Sequence, residues 1–290
     1  MSEETTTDIS VIKLPKSVDK AIKNLTDEPT KGIGHTFSDI WYLVFGAFSH
    51  AADKRRIKYD LELKQYQKEL TEKMNAIPDD EKQEPSLQVT AQALENSKYC
   101  ISEPELRSMF VNLISGSMDK RVSGLVHPSF PEIIKQMSPL DAEIISGFKK
   151  QPKQPIANFV LRNKNHNSST MLDNYLYFDL NTSHSYVYAS SISSLERFGL
   201  LSVDFMSWFT DDSHYEIFSK WSYYQHLKKE YEQPGSNEFV EINKGICSLT
   251  PLGRFLLMSA YHRLCLVNKV LRYIANLIYI AIHYAKIVNG

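Results

Sequence analysis

The stretch SEPELRSMFVNLISGSMDKRVSGLVHPSFPEIIKQMSPLDAEIISGF, Ser102–Phe148, holds three helix starts in succession. Ser102 precedes Glu103-Pro104-Glu105, the spacing of a capping box with proline in the first turn. Pro128 and Pro131 open a second helix, and Glu132 puts negative charge near its N-terminus. Ser138 precedes Pro139-Leu140-Asp141, a cap followed by a first-turn acid. Between these starts apolar residues recur at helical spacing: Leu106, Met109, Phe110 and Leu113; then Phe130, Ile133, Ile134 and Met137; then Leu140, Ile144, Ile145 and Phe148. The pattern predicts a compact helical core and carries no catalytic constellation.

The local wording also carries a resemblance. SGSMD, VHPSF and QMSPLDAEII occur in that order, with SSLERFGLL and LTPLGRFLL further along. Near the start come Gly32 and Gly34, and after them a long charged segment. Over residues 14–259 this resembles the abortive infection alpha family. The resemblance implies a mainly helical bacterial protein linked with defence against phage, and it supplies no catalytic motif.

The chain has 290 residues and a formal net charge of -1. That balance argues against a surface dominated by phosphate contacts. Cys100, Cys247 and Cys265 are odd in number and far apart, which argues for reduced thiols rather than a disulfide framework or zinc site. The acidic, polar start MSEETTTDIS is unlike a signal peptide. The expected location is the cytoplasm, with peripheral contact at the inner membrane as the variant to test.

The expected architecture is mainly α. Residues 1–13 read as a disordered leader and 14–137 as a helical domain with a long helix over 36–75. Residues 138–260 read as a winged-helix-like α+β module, and 261–290 as a C-terminal apolar and basic amphipathic helix. In the long helix, the nine residues Ile40–Phe48 are consecutively non-polar, including Trp41, Leu43, Val44 and Phe45. Such a run is too short to span a bilayer, where about 20 residues are needed. It suits burial, or contact with a membrane or partner. Further on, Asp60–Lys64 and Glu69–Lys73 are spaced as i,i+4 ion pairs beside a thin stripe of Ile57, Leu61, Leu70 and Met74. IPDDEKQEP (77–85) reads as a polar linker, then a helix turns Leu87, Ala91 and Leu94 inward.

In the module, IANFVL and YLYFDL read as strands around a polar loop, NKNHNSST. A helix from Tyr186 to Phe198 ends at Gly199, and Phe239–Leu249 is a strand. Tyr215–Tyr231 reads as one aromatic-rich helix, with Asp212 capping its start. Arg197, Arg162 and Lys164 are the candidate nucleic-acid contacts, but Arg197 stands alone beside Glu196. In the tail, Lys269, Arg272, Asn276, Tyr279, His283 and Lys286 fall at spacings of 3 and 4 on one stripe. The other faces, with Ile274 and Ile278, are apolar, which fits packing, self-association or an anchor on anionic lipid.

Chemical motifs are sparse. There is no P-loop, HExxH, CxxC or G-x-S-x-G pattern. His35 and Asp39, four apart, suit a helix-start hydrogen bond, and His127 a structural one. No catalytic residue, cofactor or metal is expected. The reading is a non-enzymatic phage-defence effector or sensor acting through helices on itself, a protein partner or a membrane. The alternative is a winged-helix DNA-binding regulator.

Overall fold

The structure is a computed structural model and describes Phe37, Ile40, Trp41, Val44, Phe45 and residues 53–163, 168–176 and 185–261. The chain divides into two compact units, Met1–Ala52 and Asp53–Gly290. The five described residues of the first unit are helical. The second unit is mainly helical with one small antiparallel sheet.

Helix α1, Asp53–Asn75, is the charged half of the long helix expected over 36–75. The link between its halves lies outside the described residues. Tyr66 and Leu70 face the core, whereas Leu61 is 61% exposed, so the expected stripe is not continuous. The ion pairs also differ from expectation. They are Lys58–Glu62 at 3.6 Å and Lys68–Glu72 at 3.9 Å. Glu69 instead receives the Arg107 guanidinium from α3 at 3.1 and 3.3 Å. A half-buried, two-pronged arginine outcompetes an exposed lysine for that carboxylate.

The predicted linker 77–85 is tied down. Ile77 is buried, the chain makes a 3-10 turn at Asp79–Glu81, and Lys82 bridges to Asp119. Backbone hydrogen bonds join Gln83 to Met118 and Lys120 to Glu81, each 2.9 Å. Helix α2, Leu87–Ser97, therefore starts later than expected, and its face is rotated. Val89, Thr90, Ala93 and Leu94 turn inward, while Leu87 is 61% exposed.

Helix α3, Pro104–Ser117, is the centre of the unit, with 10 of its 14 residues buried. A helix apolar on nearly every side must be surrounded. Around it lie α1, α2, α4 (Phe130–Gln136), α5 (Pro139–Gly147) and α9 (Pro251–Tyr261). Leu106, Met109, Phe110, Leu113, Phe130, Ile134, Met137, Ile144, Ile145 and Phe148 are buried, as their spacing predicts, whereas Ile133 and Leu140 are only half-buried. The caps divide. Ser138 and Asp141 form a full capping box, at 3.1 and 2.7 Å. Ser102 does not cap: the turn Cys100–Glu103 makes Glu103 the N-cap, without a side-chain bond.

Four strands follow: β1 (Lys153–Asn163), β2 (Ser168–Leu176), β3 (Leu201–Asp204) and β4 (Glu238–Leu249). Their order is β2-β1-β4-β3, all antiparallel. β2 starts inside the stretch read as a polar loop, because β1 pairs back onto it from Arg162↔Ser168 to Ile156↔Leu176. Pro155 is tolerated near the head of a central strand because pairing with β2 begins one residue later, at Ile156. Helix α6, Ser185–Arg197, packs on β2, β3 and α5. The expected helix Tyr215–Tyr231 is broken at Trp221, whose ψ of 136° is extended. This leaves α7 (Glu216–Lys220) and α8 (Ser222–Tyr231). The break lets Tyr215, Phe218, Tyr224 and Leu227 share one core with Ala157, Phe159 and Val240. The buried phenols are satisfied, Tyr215 donating to the Gly245 carbonyl at 2.8 Å and Tyr224 to that of Val240 at 3.1 Å.

SSLERFGLL and LTPLGRFLL, far apart in sequence, meet. Gly199, at φ +71°, ends α6. Thr250 donates its N–H to the Leu200 carbonyl at 3.1 Å, and its hydroxyl reaches the Gly199 carbonyl. Gly253 lies so close that a Cβ there would come within 2.1 Å of the Leu200 carbonyl oxygen. This contact joins α9 to the start of β3.

Candidate functional site

Phe37, Ile40, Trp41, Val44 and Phe45 fall on one helical face and are 3–8% exposed. The Trp41 ring is tilted against Phe37 at 6.1 Å and against Phe45 at 4.6 Å between centroids. Of the contacts expected from this segment, Ile40, Trp41, Val44 and Phe45 are therefore covered. Leu43 and Phe48 lie outside the described residues, as do His35 and Asp39. So do the tail candidates Lys269, Arg272, Ile274, Ile278 and Lys286. Among the described residues no helix is long and apolar enough to cross a membrane.

The three candidate nucleic-acid contacts are not brought together. Arg162, on β1, is paired with Glu241 across the sheet. Arg197 ends α6 with its guanidinium 4.5 Å from the Phe198 ring centroid. Lys164 lies outside the described residues.

The basic loop after α3 is organised from beneath by an acid. Asp119 is fully buried, and Arg121 bonds it at 2.9 and 2.7 Å while its own N–H donates at 3.0 Å. His127 Nδ1 lies 2.7 Å from the Ser129 hydroxyl and accepts the Ser129 N–H at 3.2 Å, the local bonding of a turn entering α4. Cys100 and Cys247 are buried free thiols. Burial pushes Cys247 up to about 12 and also raises Cys100, so neither is a ready nucleophile near neutral pH. Among the described residues no group of three or more His, Cys, Asp or Glu could hold a metal ion. Asp211, not Asp212, supplies the turn cap, accepting the Ser213 N–H at 3.0 Å, while Asp212 pairs with Lys244 at 2.7 Å.

An open cleft of about 500 Å³ lies between α3, α5 and the end of α9, lined in part by Glu105, Ser108, Glu143, Ser146, Lys149 and Tyr261. The Lys149 ammonium sits 3.9 Å from the Tyr261 ring centroid, and the Tyr261 hydroxyl donates to the Ala142 carbonyl at 2.6 Å. The sequence reading missed a different surface. Met206 and Trp208, just after β3, are 88% and 57% exposed. The available signal was FMSWF, a run of large apolar residues between Asp204 and Asp211, where a surface connection ordinarily places polar ones.

Neither the curated proteins nor the solved structures yielded a match to this chain. A family model does match, over residues 58–258, later at its start than the resemblance over 14–259. That span holds the helical core, the whole sheet and both motifs that meet at Leu200 and Gly253, and by it the chain belongs to the abortive infection alpha family.

Proposed function

We propose that this abortive infection alpha protein is a non-enzymatic effector or sensor of phage defence, working through helical surfaces covered at rest. The carrying observation is the face Phe37–Ile40–Trp41–Val44–Phe45, spaced for one side of a helix and no more than 8% exposed. Infection uncovers such a face, which then meets another copy of the chain, a partner protein or the cytoplasmic side of the inner membrane. The residues after Tyr261, with basic and polar residues at spacings of 3 and 4, supply the second contact segment of this reading. In this reading residues 138–260 are a winged-helix-like module used for packing and protein contact. The support is the run of α6, a left-handed glycine, β3 paired with β4, and the closing α9. No reactive centre takes part.

The test has two arms. Bacteria carrying the full chain, Trp41→Asp, or the chain without the residues from Arg263 onward are challenged with several phages while survival and membrane potential are followed. In parallel, the purified chain is floated with anionic vesicles before and after removal of the residues from Arg263 onward. The expected result is protection that Trp41→Asp impairs, with flotation or self-association that depends on one of the two segments. Protection untouched by Trp41→Asp and by loss of the tail would sink the proposal.

A further inference from the structure

The connection leaving β3 runs Asp204-Phe205-Met206-Ser207-Trp208-Phe209-Thr210-Asp211-Asp212. Its four large apolar residues divide two and two. Phe205 lies against Gly245, where an added Cβ would come within 2.6 Å of its ring. Phe209 stacks on His214 at 4.6 Å, and its N–H donates to the Tyr215 hydroxyl at 3.1 Å. Met206 and Trp208 between them are exposed. The backbone is held at both ends by carboxylates, Asp204 accepting the Met206 N–H at 2.7 Å and Asp211 the Ser213 N–H at 3.0 Å. Hydrogen bonds from Ser207 and Met206 hold Asp204 below the usual carboxylate range, and bonds from Ser213 do the same for Asp211. Both are thus anionic at neutral pH. Lys244 pairs with Asp212, the third acid of the connection.

Single exposed apolar residues are ordinary. Two large ones two positions apart, on a connection whose Met206, Phe209 and Ser213 N–H groups are bonded and whose Phe205 ring packs on Gly245, are a different case. Burying such side chains is favourable, and a pre-ordered loop loses little entropy on docking. Tryptophan is among the residues that dominate interfaces. The acids on either side repel anionic bilayers and nucleic acid, and complement cationic groups. We propose that the Met206–Trp208 tip is a docking anchor for another protein, one presenting an apolar pocket with lysine or arginine at its rim. This surface is separate from the helical faces of the preceding proposal.

The experiment places a benzophenone side chain at exposed Thr210 of the full chain in bacterial cells, with and without phage. The cross-linked species is identified by mass and purified, and its affinity for the full chain is measured. Trp208→Ala is expected to weaken that affinity tenfold or more. Asp211→Asn, which keeps the acceptor oxygen and removes the charge, is expected to weaken it threefold or more, with the effect shrinking as salt rises. Melting temperatures confirm that the variants fold. The proposal is overturned if no discrete adduct forms, or if affinity is indifferent to Trp208→Ala. An adduct that is a second copy of this chain, or Trp208-dependent flotation with phosphatidylcholine or phosphatidylglycerol vesicles, also overturns it.

Discussion

Ser102 and Ser138 read alike in the sequence, each a serine three residues before an acid with a proline close behind. Only Ser138 makes the reciprocal bonds, to Asp141. Ser102 is exposed and stands one position outside the cap, which falls on Glu103. Replacing a working N-cap by alanine costs about 1 kcal/mol, and a surface change elsewhere stays within about 0.5 kcal/mol. Ser138→Ala is therefore expected to lower stability by ~1 kcal/mol and Ser102→Ala to leave it nearly unchanged. Urea unfolding of both variants checks this, and equal losses would contradict the assignment. The cap was half legible because spacing shows that a helix starts nearby, while the turn through Cys100 and Glu103 decides which residue stands at its mouth.

At the scale of elements, α9 is joined to the start of β3 by one close approach. Gly253 on α9 leaves no room for a side chain beside the Leu200 carbonyl, and backbone there cannot move aside as a flexible side chain can. Gly253→Ala must push α9 away from β3 and break the Thr250 bonds to Gly199 and Leu200. Such overpacking typically costs about 1–3 kcal/mol, and the expectation is the upper end, about 3 kcal/mol, with α9 loosened first. Hydrogen exchange should show faster exchange in Pro251–Tyr261 than in α3; unchanged protection there would count against the argument. The sequence reading placed α6, Gly199, β4 and Pro251 well because each carries local chemistry. It joined α7 and α8 because nothing local stops a helix at Trp221. That residue turns aside to let Phe159 pack between Trp221 at 5.7 Å and Tyr224 at 5.1 Å.

Over the whole molecule, burial of weak acids sets a limit on the alkaline side. Burial raises Cys247 from the ordinary 9.0 to about 12. Burial, then Glu62 and Asp60, raise Tyr59 from 10.0 to about 12. Tyr66 and Tyr261 are raised further in the same direction by burial. The unfolded chain then loses these protons at lower pH than the folded one, so the folded state holds more of them. Their contribution is fully present below pH 9 and is lost as pH rises from about 9 to about 12. Unfolding midpoints in urea should accordingly fall across that window, with the drop reduced in Cys247→Ala; a flat profile from pH 9 to 11 would overturn the assignment. Sequence by itself determined the helical centre at Ser102–Phe148, the strand at Phe239–Leu249, the want of a familiar catalytic motif and the family, because periodicity, caps and local wording are all short-range; the antiparallel pairing of the strands came from the tertiary structure. Tertiary structure alone decided that the segment 77–85 is tied to Met118–Lys120, that Glu69 serves Arg107, and that Met206 and Trp208 stand in water. Each of these depends on what a distant part of the chain places alongside, and no local spacing encodes that.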